Sequence, residues 1–150
     1  MKTRIGPWIS FQHDIRLMVF EPRGILDEAQ MLKAVEVLEG LEAATDLSFN
    51  RFTNLTKIDM IDMRYEFIFS ISLHRRRAFT DQPPVRSAFY ATSEAGLRLA
   101  RIHVMLTDHS PLRVQLFEKM EGAAEWLGVS PDALQLADDE SSGDGNEGAE

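Results

Sequence analysis

The sequence predicts an α/β domain, with a single mixed, mostly parallel sheet of about five strands, helices packed on it and a β-hairpin at its N-terminal end. Three observations carry this expectation. Strand-like and helix-like segments alternate, strand then helix four times over, which calls for parallel strands joined by right-handed crossovers. The first two strand-like runs are separated only by a short polar break, which favours an antiparallel hairpin. The second of them, Ile15-Arg16-Leu17-Met18-Val19-Phe20, is apolar on both faces, as in a strand buried inside a sheet.

The elements follow in order. Trp8-Ile9-Ser10-Phe11 and residues 15–20 form the hairpin around Gln12, His13 and Asp14, and Pro22, Arg23 and Gly24 end it. Asp27 opens a helix with Gln30 three residues on, a variant of the capping box, and Met31, Val35, Leu38 and Leu41 give one apolar stripe. Phe52-Thr53-Asn54-Leu55-Thr56 reads as the next main strand. The stretch after it fits two periods. Tyr65, Phe67, Phe69, Ile71 and Leu73 alternate like a strand, whereas Ile61, Tyr65, Ile68 and Ser72 share a helical face. Asp62 as a cap, the three arginines at the far end and the alternation of elements favour a helix. Gln82-Pro83-Pro84 is a break, residues 85–91 are a short apolar strand, and Thr92 or Ser93 caps a helix carrying Leu99, Ile102 and Leu106. Leu112, Val114 and Leu116 alternate as a strand, and Met120, Ala123, Ala124 and Leu127 face inward from a last helix ending at Gly128.

A length of 150 residues suits one domain, able to bury about two-thirds of its unfolded surface without a disulfide or metal. The absence of cysteine excludes a disulfide scaffold, thiolate metal sites and cysteine nucleophiles. No apolar run approaches the roughly 20 residues that span a bilayer, and the N-terminus lacks a signal-peptide core, so a soluble cytoplasmic domain is expected. The net charge of -8 is uneven. Six acids and no base lie in residues 138–150, which leaves residues 1–137 at about -2. The expectation is a domain over residues 1–130 and an acidic, disordered tail over 131–150. Nucleic acid is not expected as a partner, because the basic residues form no recognised binding motif.

Catalytic patterns do not emerge. The glycines are isolated, with no phosphate-binding loop, and the four histidines have no i, i+3 or i+4 pairing that would hold a metal. Neither a metal nor another cofactor is expected. Asp59 and Asp62 follow a main strand, where α/β sheets place binding groups, although a polar loop and an N-cap explain them as well. Thr92 and Ser93 stand at a helix N-terminus, a natural anion site or simply a cap. Tyr65, Phe67 and Phe69 give an aromatic stripe suited to a core or to a nonpolar ligand. Arg75, Arg76 and Arg77 end the same helix, as a solvated helix end or as an anion or lipid head-group contact.

The order of these elements resembles the STAS-like domains, in particular the SpoIIAA-like branch related to bacterial anti-sigma factor antagonists. The resemblance covers about residues 8–128. It rests on the opening hairpin with Gly24 before the first helix, on Phe52–Thr56 running into Ile58-Asp59-Met60-Ile61-Asp62, on the strand at 85–91, and on the closing Phe117-Glu118-Lys119-Met120-Glu121-Gly122-Ala123-Ala124-Glu125-Trp126-Leu127-Gly128. It implies a non-enzymatic regulatory domain acting through protein contacts. In the related antagonists a Ser after an Asp at the start of the second main helix is phosphorylated. Asp62 matches that Asp, but Met63 and Arg64 stand where the Ser-Ser pair would be, so the phospho-acceptor is missing. The expected interaction surface is therefore the loop at 59–62 and the following residues, Asp59, Asp62, Met63 and Arg64, engaging another protein or a second copy. The alternative is a carrier or sensor of a nonpolar ligand, membrane-associated or not, with contacts from Tyr65, Phe67, Phe69, Arg75, Arg76 and Arg77. Some SpoIIAA-like proteins resemble lipid-binding CRAL-TRIO domains, which implies the same alternative.

Overall fold

The computed structural model describes residues 2–45 and 48–137. Its main sheet has six strands in the order β1 (Lys2–Gly6), β2 (Ile9–Gln12), β3 (Leu17–Phe20), β5 (Asn50–Asn54), β7 (Val85–Tyr90), β8 (Leu112–Phe117). β1, β2 and β3 run antiparallel, and β3, β5, β7 and β8 are parallel, so the mixed, mostly parallel sheet is as expected. The extra strand is β1. It carries Lys2 and Arg4 and little apolar surface, as edge strands do, and a tight turn with Trp8 at φ 63° folds it onto β2. Ile15 and Arg16 belong to the β2–β3 turn rather than to β3, with Arg16 at φ 52°.

A second, two-stranded parallel sheet pairs β4 (Gly24–Asp27) with β6 (Ile58–Asp62). This corrects the sequence reading of residues 59–62 as a loop. The strand expected at 52–56 ends at Asn54, whose side-chain oxygen accepts from the Thr56 amide (2.9 Å) and hydroxyl (2.6 Å) and turns the chain toward β6.

The helices are α1 (Glu28–Ala44), α2 (Tyr65–Ala78), α3 (Glu94–Leu106) and α4 (Met120–Leu127). Asp27 and Gln30 form a reciprocal capping box on α1, and the Ser93 hydroxyl caps α3 by accepting from the Gly96 amide. Gly128 ends α4 at φ 74°, a conformation that favours glycine. Residues 65–78 are helical, so the face built on Ile68 and Ser72 prevails over the alternation. Asp62 does not cap this helix. It lies in β6, and the N-cap position is Arg64, with no side-chain cap.

Strand alternation divides the interior in two. Ile9, Phe11, Met18 and Phe20 face α1, α2 and α3 in one core, with Leu55, Ile68, Leu99 and Ile102. Leu17, Val19, Phe52 and Ala88 face α4 in the other. The second core also takes in Leu134, fully buried in a 3-10 turn (Pro131–Leu134). Farther on, the Ala137 carbonyl accepts from Arg4 (2.9 and 3.2 Å) and its amide donates to Ser10 Oγ (3.3 Å). The folded unit thus runs past residue 130. The tail expected to be disordered over 131–150 is therefore ordered at 131–137, where Leu134 packs into the core, and residues 138–150 lie outside the described ones.

Candidate functional site

Between α1, α2, α3 and the first face of the sheet lies a cavity of about 100 Å³. Its wall is mostly apolar. Met31, Ala34, Val35 and Leu38 come from α1, Phe67, Ile68 and Ile71 from α2, and Met18, Phe20 and Phe89 from the sheet. The positions are set by period: the stripe of α1 and one face of α2 point at alternate residues of β3, β5 and β7.

A polar group interrupts this wall. Arg51 and Thr53, on the inward face of β5, reach the cavity, together with Ser87, which is the β7 partner of Arg51. Arg75 and Ser72 join from α2 and His103 from α3. Arg51 and Arg75 are only 3% and 4% exposed. Glu42, near the end of α1, bridges them, with its carboxylate 3.0 Å from Arg51 and in contact with Arg75. Arg75 also donates to Glu39 (3.0 Å), and Glu39 reaches the surface beside His74 (2.6 Å). The Arg51 guanidinium lies over two aromatic rings, 4.4 Å from the Phe49 centroid and 5.1 Å from that of Phe79. Its Nε is buried and has no hydrogen-bond partner. Burial pushes the Arg51 pKa down to about 10, with Glu42 opposing the shift and Arg75 adding to it. His103 Nδ1 and Ser72 Oγ share a hydrogen bond at 2.9 Å. Burial, and secondarily the charge of Arg75, pushes His103 down to about 4, so the ring is neutral at pH 7.

α1 and α2 run side by side in the same direction, joined near both ends. At their C-terminal ends stand the Glu42 and Glu39 pairs with Arg75. At their N-terminal ends Glu28 accepts from the Arg64 backbone amide, Nε and a terminal nitrogen, each at 3.0 Å. The side-chain hydrogen bond from Arg64 is the main cause that holds the Glu28 carboxyl below its usual pKa.

The expected site residues are therefore divided. Met63, Phe67 and Arg75 line the cavity together. Asp59 and Asp62 are exposed on β6, and Arg64 is exposed and paired with Glu28. Tyr65 and Phe69 lie on the outer face of α2, 53% and 44% exposed, so the aromatic stripe is not one surface: at 100° per residue Phe67 turns in while its neighbours turn out. The three arginines do not form a basic patch. Arg75 is buried among carboxylates, Arg76 donates to the carbonyls of Leu106 and Asp108 at the end of α3, and Arg77 is exposed. Thr92 is exposed, and the Ser93 hydroxyl is engaged as the cap of α3. Sequence reasoning missed Arg51, Ser72 and His103. A signal existed for Arg51, which alternates with Thr53 on one face of a strand whose other face carries Phe52.

Among the described residues no helix is long and apolar enough to cross a membrane. No family model and no curated protein matches the sequence. A solved structure does: an uncharacterized protein of the DUF3478 family from Shewanella loihica PV-4, described as having a SpoIIAA-like fold. It is 19% identical, with a TM-score of 0.54, over 85% of this chain and 95% of that one. With its hairpin-led mixed sheet, three helices on one face and one on the other, this chain has the SpoIIAA-like fold.

Proposed function

We propose that the domain is a non-enzymatic binder of a small, largely nonpolar ligand, which it carries or senses in the cavity between the helices and the sheet. The observation that supports this is the cavity itself. Close-packed interiors leave few voids larger than a water molecule, and this one has an apolar wall from three helices and the sheet. At about 100 Å³ the cavity is smaller than the engineered void of ~150 Å³ that holds benzene, so it suits a short chain as it stands and a single small ring once flexible lining side chains such as Met18 and Met31 give way. The test is titration with toluene, followed by thermal shift and by the methyl resonances of Ile68, Ile71 and Leu99. Saturable shifts at those methyls with a raised Tm are expected. Toluene at its solubility limit leaving both unchanged would remove the reading.

A second reading, a regulatory domain acting through protein contacts, has its own support. Ile25 and Met60 are paired positions on β4 and β6 and are 51% and 48% exposed. Tyr65, Phe69 and Leu73 line the outer face of α2 at helical spacing, with Asp59 and Asp62 exposed nearby in sequence on β6. Asp62→Lys should abolish capture of a partner while leaving the fold intact, and a wild type that captures none leaves this reading without support.

A further inference from the structure

We infer that the ligand of this cavity is a small monocarboxylate, its head accepting a hydrogen bond from Arg51 Nε and its apolar part lying against Phe67, Ile68, Phe89 and Leu99. The inference rests on the binding reading above and adds the chemistry of the head group.

Three observations converge on it. The first is the buried Nε of Arg51, a cationic donor without an acceptor. An orphaned buried donor costs roughly 1–3 kcal/mol, more on a charged group, and native interiors hold few of them. A terminal nitrogen of the guanidinium is already engaged by Glu42, and the group lies over the rings of Phe49 and Phe79, so the open valence is on a group held in place. The second is charge. At the inner end two guanidinium groups, each at most 4% exposed, stand around one inner carboxylate, that of Glu42. The remaining acid, Glu39, is at the rim, 37% exposed and shared with His74. His103 is neutral at pH 7, and the two guanidinium groups are matched by two carboxylates, but Arg51 has only the Glu42 carboxylate, which it shares with Arg75, so Arg51 is the less neutralised of the two and the one with room for an acceptor. The third is polarity by position. Ser87, Thr53 and Ser72 place hydroxyls on the same wall as the guanidinium groups, and the rest of the lining is apolar. A ligand matched to that wall has one anionic end and one nonpolar body.

The experiment compares benzoate, butyrate, toluene and inorganic phosphate on the full chain by calorimetry. Arg Nε–H resonances are recorded alongside, so that the wild type alone reports whether Arg51 is engaged. Benzoate should bind at least tenfold more tightly than toluene and move the Arg51 Nε–H signal. Arg51→Lys, which keeps the charge and removes the Nε donor, should lower benzoate affinity about tenfold and leave toluene unchanged. Toluene binding as well as benzoate, or benzoate binding without moving the Arg51 signal, would overturn the carboxylate assignment while leaving the nonpolar reading in place. Phosphate binding at Arg51 as tightly as benzoate would overturn it in favour of an inorganic-anion site. Failure of both toluene and benzoate to bind would remove this inference together with the reading it rests on. If Arg51→Lys does not fold, the wild-type comparison of benzoate with toluene decides alone.

Discussion

Lowering the pH from 7 to 5 should destabilise this domain through His103 in particular. The imidazole sits against Phe89, shares a hydrogen bond with Ser72 and faces the Arg75 guanidinium, and its pKa is about 4 against 6.5 for a free side chain. Between those two values the unfolded chain binds a proton that the folded one refuses, so stability is full above pH 6.5 and is lost as the pH falls toward 4. At pH 5 the unfolded state is almost fully protonated at this residue and the folded state about one-tenth, which amounts to about 2 kcal/mol. The edge of the residue still reaches solvent, which brings the expected loss to between about 1 and 2 kcal/mol. Urea unfolding at pH 7 and pH 5, for the wild type and for His103→Gln, isolates it. Glutamine can keep a hydrogen bond to Ser72 and cannot titrate, and the carboxylates titrate alike in both proteins. The wild type should lose about 1–2 kcal/mol more than the variant across this interval. Equal losses would show that the ring accepts its proton as readily folded as unfolded, and would refute the burial argument.

Other expectations follow from packing and charge. Leu134→Ala, in the 3-10 turn beyond α4, should cost about 2–4 kcal/mol in denaturant unfolding, because the side chain is fully buried in the second core. A cost near zero would place residues 131–137 outside the folded unit. Glu42→Gln should lower stability by about 2–3 kcal/mol, since it leaves Arg51 and Arg75 facing one another without the carboxylate between them. Gly128→Ala should cost about 1 kcal/mol for the left-handed backbone at the end of α4, measured as a shift of the urea midpoint at constant slope.

What the sequence discloses of this fold is what local periodicity can disclose. The all-apolar Leu17–Phe20, the stripe of α1 with its Asp27–Gln30 box and the alternation of β8 each announce themselves within a few residues. β1, β4 and β6 do not. They are short, partly exposed and, for β4 and β6, meaningful only as a pair more than thirty residues apart in sequence. The site was hidden for a related reason. Tyr65, Phe67 and Phe69 look equivalent in sequence, yet only the rotation of α2 against the sheet decides that Phe67 enters the cavity while the other two leave it. Arg75 looks like one of three equal arginines until Glu39 and Glu42, more than thirty residues earlier, take it inward. Sequence spacing tells which residues share a face; it does not say which face finds carboxylates waiting.

The two fastenings between α1 and α2 differ in how they answer to salt. The Glu28–Arg64 pair is open to solvent, with Arg64 73% exposed, and counterions at physiological strength screen such a pair over about 8 Å. The Glu42–Arg75 pair lies behind a guanidinium that is 4% exposed, where counterions hardly reach. Ionic strength therefore weakens the fastening at the N-terminal ends of the helix pair and spares the one at the C-terminal ends.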